Sequence, residues 1–330
     1  MQEFNAYRIF NEDGKVVSRL VRMRPEEMDP GEVTVKVAYS SVNFKDALAA
    51  TGAGKIIRRF PCVGGIDLCG HVMSSGDKRF KEGDAVIATS YDIGVAHNGG
   101  YEEVARLPAD WIVPLPNGLD LFQSMALGTA GYTAALAVVR MEHDGLRPEN
   151  GPVLVTGATG GVGSVAIDIL AGAGYEVVAL TGKEGAVEYL KKLGARDVTL
   201  RSSLDLSKIK PLDKSVWAGA VDNLGGDVLS WTAANMKVGG TLASVGLAAT
   251  HEFKTTVMPF ILRGVSLLGI DSVNTPMAVR RKVWERLGSD LKPRHLADMV
   301  TTITMNDLPA TFEEILQSRM KGRTVVRIAD

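Results

Sequence analysis

The sequence predicts an α/β protein in which a doubly wound parallel sheet is joined to a separate, mainly β lobe of barrel-like form. Its 330 residues, 45% of them hydrophobic, are enough to build two substantial cores. Residues 1 to about 120 contain short alternating runs, such as 33–39 and 84–89, separated by Gly, Asp and Pro turns that are typical of strands. Beyond Leu121 strands and helices alternate, which indicates a parallel sheet covered by helices on both faces.

The second half of the chain can be divided into individual elements. A helical stretch covers 121–141, and strands are predicted at 153–156, 176–180, 218–223, 241–246 and 265–270. Helices are predicted between them at 164–173, 185–193 and 228–236, and the tail predicts helices at 277–287 and 308–317 and a strand at 324–328. We therefore expect a β lobe over 1–122, a sheet domain over 123–272, and a return segment over 273–330 that completes the β lobe.

Composition excludes several classes of protein. The formal net charge of −1 gives no general attraction to nucleic acid or to an anionic membrane. Two cysteines, Cys62 and Cys69, are too few for a disulfide framework and favour a reducing cytoplasm. The N-terminal residues carry no apolar signal core, and we expect no stretch approaching the roughly 18 uncharged apolar residues of a membrane span. These features predict a soluble, cytoplasmic protein.

A glycine-rich turn is the most specific motif. The segment Val153-Leu-Val-Thr-Gly157-Ala-Thr-Gly160-Gly161-Val-Gly163 passes from a predicted strand into a predicted helix. Such a turn lets the backbone approach a dinucleotide pyrophosphate, while the first amides of the helix, expected from Ser164, face the anion. We expect the cofactor to contact Thr159, Gly160, Gly161 and Val162. The alternative is a strand, turn and helix without a ligand.

The end of the next strand indicates which dinucleotide binds. An NAD site places an acidic residue there to accept hydrogen bonds from the ribose. Here the strand ends Thr181-Gly182-Lys183, and Arg201 follows the strand after it, whereas Glu184 is set beyond the turn. Hydroxyl and cationic groups suit a 2′-phosphate, so the sequence favours NADPH. The alternative is that Lys183 and Arg201 are solvated surface charges.

Two dehydrogenase superfamilies share such a turn. Short-chain dehydrogenases place it near the N-terminus and need a Tyr-x-x-x-Lys pair, which this chain lacks: Tyr189 is followed by Leu193. The order of a β lobe, a nucleotide domain and a return segment instead resembles the medium-chain dehydrogenase/reductase superfamily, and within it the YhdH/YhfP family. The motifs that carry this resemblance span nearly the whole chain: Asn43-Phe44-Lys45-Asp46, Phe60-Pro61, Gly65-Ile-Asp67, Ala109-Asp-Trp111, Gly128-Thr-Ala-Gly131, Trp217-Ala-Gly-Ala, Met258-Pro-Phe-Ile-Leu-Arg-Gly264, Gly269-Ile-Asp-Ser272 and Lys321-Gly-Arg323.

The resemblance implies a fold, a reaction and an assembly. The fold is a Rossmann NADP-binding domain with a GroES-like catalytic lobe. The reaction is hydride transfer from NADPH to an activated alkene, with acrylyl-CoA or another short enoyl thioester as the best guess and quinones as the alternative. The apolar run 265–270 predicts an edge strand that another copy can pair with, and the resemblance likewise implies a homodimer. A non-catalytic NADPH-binding protein remains a further alternative.

The resemblance also assigns site residues by motif position. Thr129 is expected to reach the nicotinamide or its ribose, and the nicotinamide end is expected to be bordered by Leu247, Ile261, Ser272 and Ser318. Relatives commonly have tyrosine where this chain has Phe44, which therefore cannot donate a hydrogen bond. Phe44 is expected to lie beside the cofactor, and Phe44 and Tyr91 are expected to line the substrate site. The polar candidates for catalysis are Asn43, Lys45 and Asp46, where Lys45 and Asp46 alternatively pair with each other.

Zinc is the main competing hypothesis for the chemistry. Many medium-chain dehydrogenases hold zinc through Cys and His with a Gly-His-Glu signature. Cys62, Cys69 and His71 are close in sequence, but Gly70-His71 is followed by Val72. We therefore expect no metal, and expect hydrogen bonds to polarise the substrate instead.

Overall fold

The computed structural model describes residues 2–328. Its strands are, in chain order, β1 Phe4–Glu12, β2 Lys15–Met23, β3 Val33–Val42, β4 Cys62–Val63, β5 Asp67–Ser75, β6 Ala85–Thr89, β7 Val104–Leu107, β8 Ile112–Pro114, β9 Val153–Thr156, β10 Val177–Thr181, β11 Asp197–Leu200, β12 Trp217–Asp222, β13 Met236–Ser244, β14 Ser266–Gly269, β15 Val300–Thr304 and β16 Arg323–Arg327. Its α-helices are α1 Phe44–Thr51, α2 Leu121–His143, α3 Gly161–Gly172, α4 Val187–Lys192, α5 Gly226–Ala234, α6 Met258–Arg263, α7 Met277–Leu287 and α8 Leu308–Leu316.

The chain divides into two compact units. Unit 1 contains the residues up to Thr129, Val273–Glu285, and the residues from Val300 onward; unit 2 contains Ala130–Ser272 and Arg286–Met299. Two segments therefore lie elsewhere than the predicted domains placed them. The start of α2 belongs to unit 1, and the segment 286–299 belongs to unit 2 although it was expected in the return segment.

Unit 1 is built mainly from antiparallel strands, and within it β15 and β16 pair in parallel. Strands β2, β1 and β4 form a three-stranded sheet, and a seven-stranded sheet has the order β15-β16-β3-β5-β6-β8, with β7 also paired to β3. The alternating valines Val33, Val35 and Val37 of β3 are fully buried, as the period of a half-buried strand requires. Gly70 is needed where β5 crosses β3, because an added Cβ would lie 1.9 Å from the carbonyl oxygen of Lys36.

Unit 2 contains one parallel six-stranded sheet of order β11-β10-β9-β12-β13-β14. All four residues of β9 are buried, which is expected of a strand covered on both faces. The chain proceeds outward from β9 through β10 to β11, then returns to β12 and proceeds through β13 to β14 on the other side. The order thus reverses between β9 and β12, and ligands of such sheets bind outside the carboxyl ends of the strands at this point.

Several element predictions differ from the structure. Helix α3 begins at Gly161 rather than at Ser164, and β13 begins at Met236 rather than at Thr241. The elements α1, α6 and β15 were not predicted, and no bounds were predicted for β11. We expected no segment approaching the length and apolar character of a membrane span. Helix α2, Leu121–His143, is nevertheless long and apolar enough to cross a membrane by length and composition alone. In its most apolar window 78% of the helix is buried inside the protein, which also suits a core helix.

Candidate active site

The glycine turn of unit 2 presents backbone amides at the carboxyl end of β9. The amide of Ser164 already donates to the carbonyl of Gly160 at 2.9 Å, so the amides without a partner inside the helix are those of Gly161, Val162 and Gly163. The expectation that the amides begin at Ser164 is therefore corrected. A Cβ at Gly163 would lie 2.5 Å from the carbonyl oxygen of Gly157, so only glycine fits this turn.

A buried carboxylate fixes the neighbouring strand ends. Asp222, fully buried at the end of β12, accepts hydrogen bonds from the Thr156 hydroxyl and the Gly225 amide, both at 2.7 Å. The side-chain amide of Asn223 donates to the carbonyl of Thr156 at 2.7 Å. These bonds hold β9 and β12 together where the strand order reverses. Sequence reasoning missed this role of Asp222; a buried acid at a strand end is the signal that indicates it.

The residues predicted to bind the 2′-phosphate of the cofactor lie around the carboxyl end of β10. Thr181 is 3% exposed, and its hydroxyl oxygen accepts a hydrogen bond from the Lys183 amide at 3.0 Å. Arg201 follows directly on Leu200, the partner of Thr181 in the β10–β11 pairing. Its guanidinium carbon is 3.8 Å from the position of a Cβ at Gly182, so the missing side chain leaves room for it. The Thr181 hydroxyl and the Arg201 guanidinium thus lie at this tip, which Lys183 follows in the chain, and these groups fit a 2′-phosphate.

Three residues predicted for the nicotinamide end lie in unit 2, after strands β13 and β14. Leu247 follows β13 and is 65% exposed, while Ile261 lies on α6 and is 70% exposed. Ser272 lies in the segment after β14. Glu184 is exposed at the start of a short 3₁₀ helix, Glu184–Ala186.

Unit 1 contains a buried polar cluster around Asp67, which sequence reasoning did not single out as a functional residue. Asp67 has no exposed surface. Its Oδ2 accepts hydrogen bonds from the Ser41 hydroxyl at 2.6 Å, the Asn43 side-chain amide at 2.8 Å and the Thr129 main-chain amide at 2.9 Å. Its Oδ1 accepts the Thr129 hydroxyl at 2.5 Å. The predicted residues Asn43 and Thr129 therefore meet on one carboxylate.

A second carboxylate lies beside it. Asp46 is 2% exposed and accepts hydrogen bonds from the main-chain amides of Asn43 and Ile66 at 2.8 and 2.9 Å, rather than from Lys45. Burial, and then the like charge of Asp67, raise the pKa of Asp46 to about 7. Asp46 completes the capping box at the start of α1 and so supports Asn43. Lys45 is half-buried, and Phe44 is 49% exposed.

A buried arginine balances the charge of this cluster. Arg323 is 3% exposed and donates to the carbonyls of Ala126 and Val42 at 2.9 and 3.2 Å and to the Ser41 hydroxyl at 3.0 Å. Burial lowers the pKa of Arg323, and the charges of Asp67 and Asp46 oppose that shift. Cys69, in the same lobe, is buried with a thiol pKa raised to about 12 by burial, so it is an unreactive core residue.

Tyr91 is fixed by an arginine that the sequence did not indicate. The ring of Tyr91 stacks on Trp111 at 5.7 Å, and the guanidinium carbon of Arg280 lies 4.4 Å from the ring centroid. Arg280 is fully buried, and its Nε donates to the Tyr91 hydroxyl at 3.2 Å. Tyr91 and Ser90 both have positive φ, 50° and 67°, a backbone conformation that needs such support. Ser318, at φ 55°, is exposed after α8.

The residues considered for zinc do not form a site. Cys62 and Cys69 are buried, and the Cys69 thiol donates to the carbonyl of Leu121 at 3.1 Å, whereas His71 is exposed. Within residues 2–328 no group of three or more His, Cys, Asp or Glu side chains is arranged to hold a metal ion.

Comparison with known proteins identifies the family. Residues 29–117 match the alcohol dehydrogenase GroES-like domain, and residues 161–289 match the family described as zinc-binding dehydrogenase. The chain is 50% identical to the putative quinone oxidoreductase YhfP of Bacillus subtilis over 92% of each chain. It is 47% identical to the acrylyl-CoA reductase AcuI of Ruegeria pomeroyi over 96% of each chain.

Solved structures agree with this result. The yhdH oxidoreductase of Salmonella enterica in complex with NADP is 45% identical, with a TM-score of 0.96 over 98% of this chain and 100% of that one. The Bacillus subtilis protein yhfP with NAD bound is 48% identical, with a TM-score of 0.97 over 99% of this chain and 100% of that one. The predicted fold, a Rossmann-like parallel sheet with a GroES-like lobe, is confirmed. The chain belongs to the quinone oxidoreductase-like YhdH/YhfP family of medium-chain dehydrogenases/reductases, as its motifs predicted.

Proposed function

We propose that this protein is an NADPH-dependent reductase of activated alkenes, with acrylyl-CoA as its substrate. The substrate assignment is supported by the 47% identity to an acrylyl-CoA reductase over 96% of the chain. The cofactor assignment is supported by the donor set at the tip of β10, where Thr181, Lys183 and Arg201 stand in place of an acidic residue. A quinone is the second candidate substrate, because a relative at 50% identity is a putative quinone oxidoreductase.

Bound NADPH supplies the hydride for this reduction. The hydride would form a new C–H bond at the β-carbon of the alkene and leave NADP+. The π electrons would move to the thioester oxygen, and the resulting enolate would take a proton at its α-carbon from water or a side chain. The amides of Gly161, Val162 and Gly163 are proposed to bind the pyrophosphate, together with Thr159 and Gly160. Thr129 is proposed to bind the nicotinamide end, with Phe44 and Tyr91 lining the substrate site and Asn43 and Lys45 as its polar groups.

The cofactor assignment is tested by removing the two cations. Each well-formed contact between a cation and a phosphate contributes roughly 1.5–3 kcal/mol. A Lys183→Gln and Arg201→Gln double variant should therefore raise the KM for NADPH sharply and the KM for NADH little. Lys208→Gln, which removes an exposed cation further along the same loop, is the control and should leave both values unchanged. An unchanged preference in the double variant would contradict the assignment.

The substrate assignment is tested by a panel of acceptors. Steady-state rates of NADPH oxidation should give acrylyl-CoA the highest kcat/KM, quinones a lower one, and simple ketones the lowest. Efficient ketone reduction without turnover of an enoyl thioester or a quinone would refute the proposal.

We also propose zinc-independent activity. Chelation should leave the rate intact, and stoichiometric zinc whose removal stops turnover would refute this.

We propose that the protein is a homodimer formed through the edge of the unit 2 sheet. Strand β14 is one of the two edge strands of this sheet, and Leu267 on it is 40% exposed. On the preceding helix α6, Ile261 and Leu262 are 70% and 59% exposed, which is unusual for large apolar side chains. Light scattering at micromolar concentration should give twice the chain mass; a monomer would contradict this.

A cytoplasmic location is proposed on the two free, buried cysteines, and cell fractionation tests it.

A further inference from the structure

We infer that Asp67 is a positioning residue that makes the Thr129 hydroxyl a hydrogen-bond acceptor toward bound NADPH. The inference rests on the proposed function, which assigns Thr129 to the nicotinamide end of the cofactor. It adds the direction of that hydrogen bond and names the residue that sets it. Both follow from the way donors and acceptors are distributed in the buried cluster of unit 1.

Asp67 acts as an acceptor on every side. Three donors meet its Oδ2, namely the Ser41 hydroxyl, the Asn43 side-chain amide and the Thr129 main-chain amide, at 2.6 to 2.9 Å. A carboxylate in this setting is the acceptor-only form of the side chain. The Thr129 hydroxyl lies 2.5 Å from Oδ1, so it is the donor of that bond. A threonine has a single hydroxyl hydrogen, and Asp67 takes it.

The same count of donors and acceptors sets the direction of the hydrogen bond between Ser90 and Thr129. The hydroxyl oxygens of Ser90 and Thr129 are 3.1 Å apart, and either is able to donate by geometry alone. Because the Thr129 hydrogen is directed to Asp67, Ser90 is the donor of this pair. Any ligand group that approaches the Thr129 oxygen must therefore bring a hydrogen. A ribose hydroxyl or the amino group of the nicotinamide carboxamide meets this requirement, whereas a carbonyl oxygen does not.

The surroundings of Asp67 preserve this direction. Asp67 is fully buried, and the buried guanidinium of Arg323 shares the Ser41 hydroxyl with it, which keeps a compensating positive charge in the cluster. The main chain next to Thr129 is also fixed, because Gly128 lies directly over the cluster. A Cβ there would be 2.6 Å from Asp67 Oδ2 and 2.7 Å from Arg323 Nη2. Thr129 therefore has little freedom to turn its hydroxyl elsewhere.

The substitution Asp67→Asn tests the inference because it reverses the bond. Three donors surround the Oδ2 position, so the amide oxygen of the new side chain takes that place and its NH₂ group faces the Thr129 oxygen. The Thr129 hydroxyl then donates instead of accepting. In a fluorescence titration with NADPH, the dissociation constant of Asp67→Asn should rise roughly 2- to 10-fold, the range for a hydrogen bond between neutral groups.

Further variants separate this role from a general structural one. Thr129→Val should weaken NADPH binding, Thr129→Ser should restore it, and Asp67→Asn should add little in the Thr129→Val background. Ser40→Ala is the matched control, since the Ser40 hydroxyl donates to the main-chain carbonyl of Asp67 at 2.6 Å and not to its carboxylate. Ser40→Ala should lower stability without changing the NADPH dissociation constant.

The outcomes distinguish this inference from the proposed function. Wild-type affinity in a folded Asp67→Asn variant, or an undiminished effect of Asp67→Asn in the Thr129→Val background, overturns the role of Asp67 alone. Failure of the wild-type protein to bind NADPH overturns the proposed function and the inference with it. If Asp67→Asn does not fold, Thr129→Val and Thr129→Ser decide: equal affinities in those two variants overturn the inference.

Discussion

The glycine turn of unit 2 and the Asp67 cluster of unit 1 are two candidate binding elements that are built in opposite ways. The turn uses backbone amides from one short stretch, residues 157–163, and depends on the absence of side chains. The cluster uses side chains, and two of its members, Ser41 and Arg323, are 282 positions apart. An element of the first kind is visible in the sequence because its parts are adjacent. An element of the second kind exists only once the strands have paired.

The largest expected loss of stability is at Gly128. This residue is a glycine that needs the absence of a side chain, as in the turn, and it lies against the side chains of the Asp67 cluster. Gly128 has φ 51° and ψ −156°, and an added Cβ would lie 2.6 Å from both Asp67 Oδ2 and the Ser41 hydroxyl oxygen. Backbone strain and crowding together should lower the free energy of unfolding of Gly128→Ala by roughly 3–5 kcal/mol in chemical denaturation.

Gly14→Ala is the matched control for this variant. Gly14 also has positive φ, 81°, but a Cβ there meets nothing within 4 Å. Its cost should be only the roughly 1–2 kcal/mol of the left-handed conformation. Equal costs for the two variants would show that the cluster tolerates an added methyl group and that its packing is looser than the structure indicates.

The difference between elements built from adjacent residues and elements built from distant ones explains which parts of the fold the sequence predicted. The strands of unit 2, the glycine turn and the residues at the tip of β10 were predicted because each depends on a local pattern. Helix α1 was missed because its eight residues are too few to establish a helical period in the sequence. Strand β15, Val300–Thr304, has no fully buried residue and so gives only a weak alternation.

The site was predicted in part for the same reason. Asn43 and Thr129 were identified through motifs, and Asp67 and Arg323 lie within motifs that carried the family resemblance. Their pairing into one cluster was not predicted, because nothing near Asp67 in the sequence shows that the chain returns at Arg323 through the β16–β3 pairing. Arg280 was missed similarly, since its partners Thr89 and Tyr91 lie far from it in the chain.

The second prediction uses the pH dependence of the cluster. Burial raises the pKa of Asp46 from 3.8 to about 7, so the folded protein retains a proton that the unfolded chain has lost. Stability should therefore fall as the pH rises from about 4 to about 7, by about 2–4 kcal/mol for this group. The slope of the unfolding free energy against pH is measured by chemical denaturation at several pH values across this range. Asp46→Asn should remove the part of that slope which Asp46 contributes.

Glu102 provides the comparison within the same unit. Burial also raises the pKa of Glu102 well above its usual value, so this carboxyl contributes a slope of the same sign. Asp46→Asn should therefore reduce the slope, and adding Glu102→Gln should reduce it further. A slope unaltered by Asp46→Asn would show that Asp46 is ionised in the folded protein throughout this range.

The third prediction concerns the turn of unit 2. In Gly163→Ala the new methyl group would lie 2.5 Å from the carbonyl oxygen of Gly157, so the turn must open and its amides must move. NADPH binding should weaken by roughly 10- to 100-fold, the loss of one or two hydrogen bonds to a charged phosphate. Gly172→Ala, at the other end of α3, makes only an ordinary contact of 3.5 Å and should bind NADPH normally. Similar affinities in both variants would show that the turn is not the binding element.

The smallest expected effect is at Phe44, which lies outside both elements. Phe44 begins α1 and is 49% exposed, so Phe44→Tyr should change the free energy of unfolding by no more than about 0.5 kcal/mol. We expect the phenol of Phe44→Tyr to donate a hydrogen bond to substrate or cofactor and to raise kcat/KM for acrylyl-CoA by up to about fivefold, the equivalent of about 1 kcal/mol. Phe44→Leu keeps the position apolar and should give no increase, which separates the hydroxyl from the shape of the ring. A decrease in Phe44→Tyr would show that the position selects against a polar group. The gain is expected to be small because a half-exposed hydroxyl exchanges one hydrogen bond with water for another, whereas the hydrogen bonds of Asp67 have no solvent to replace them.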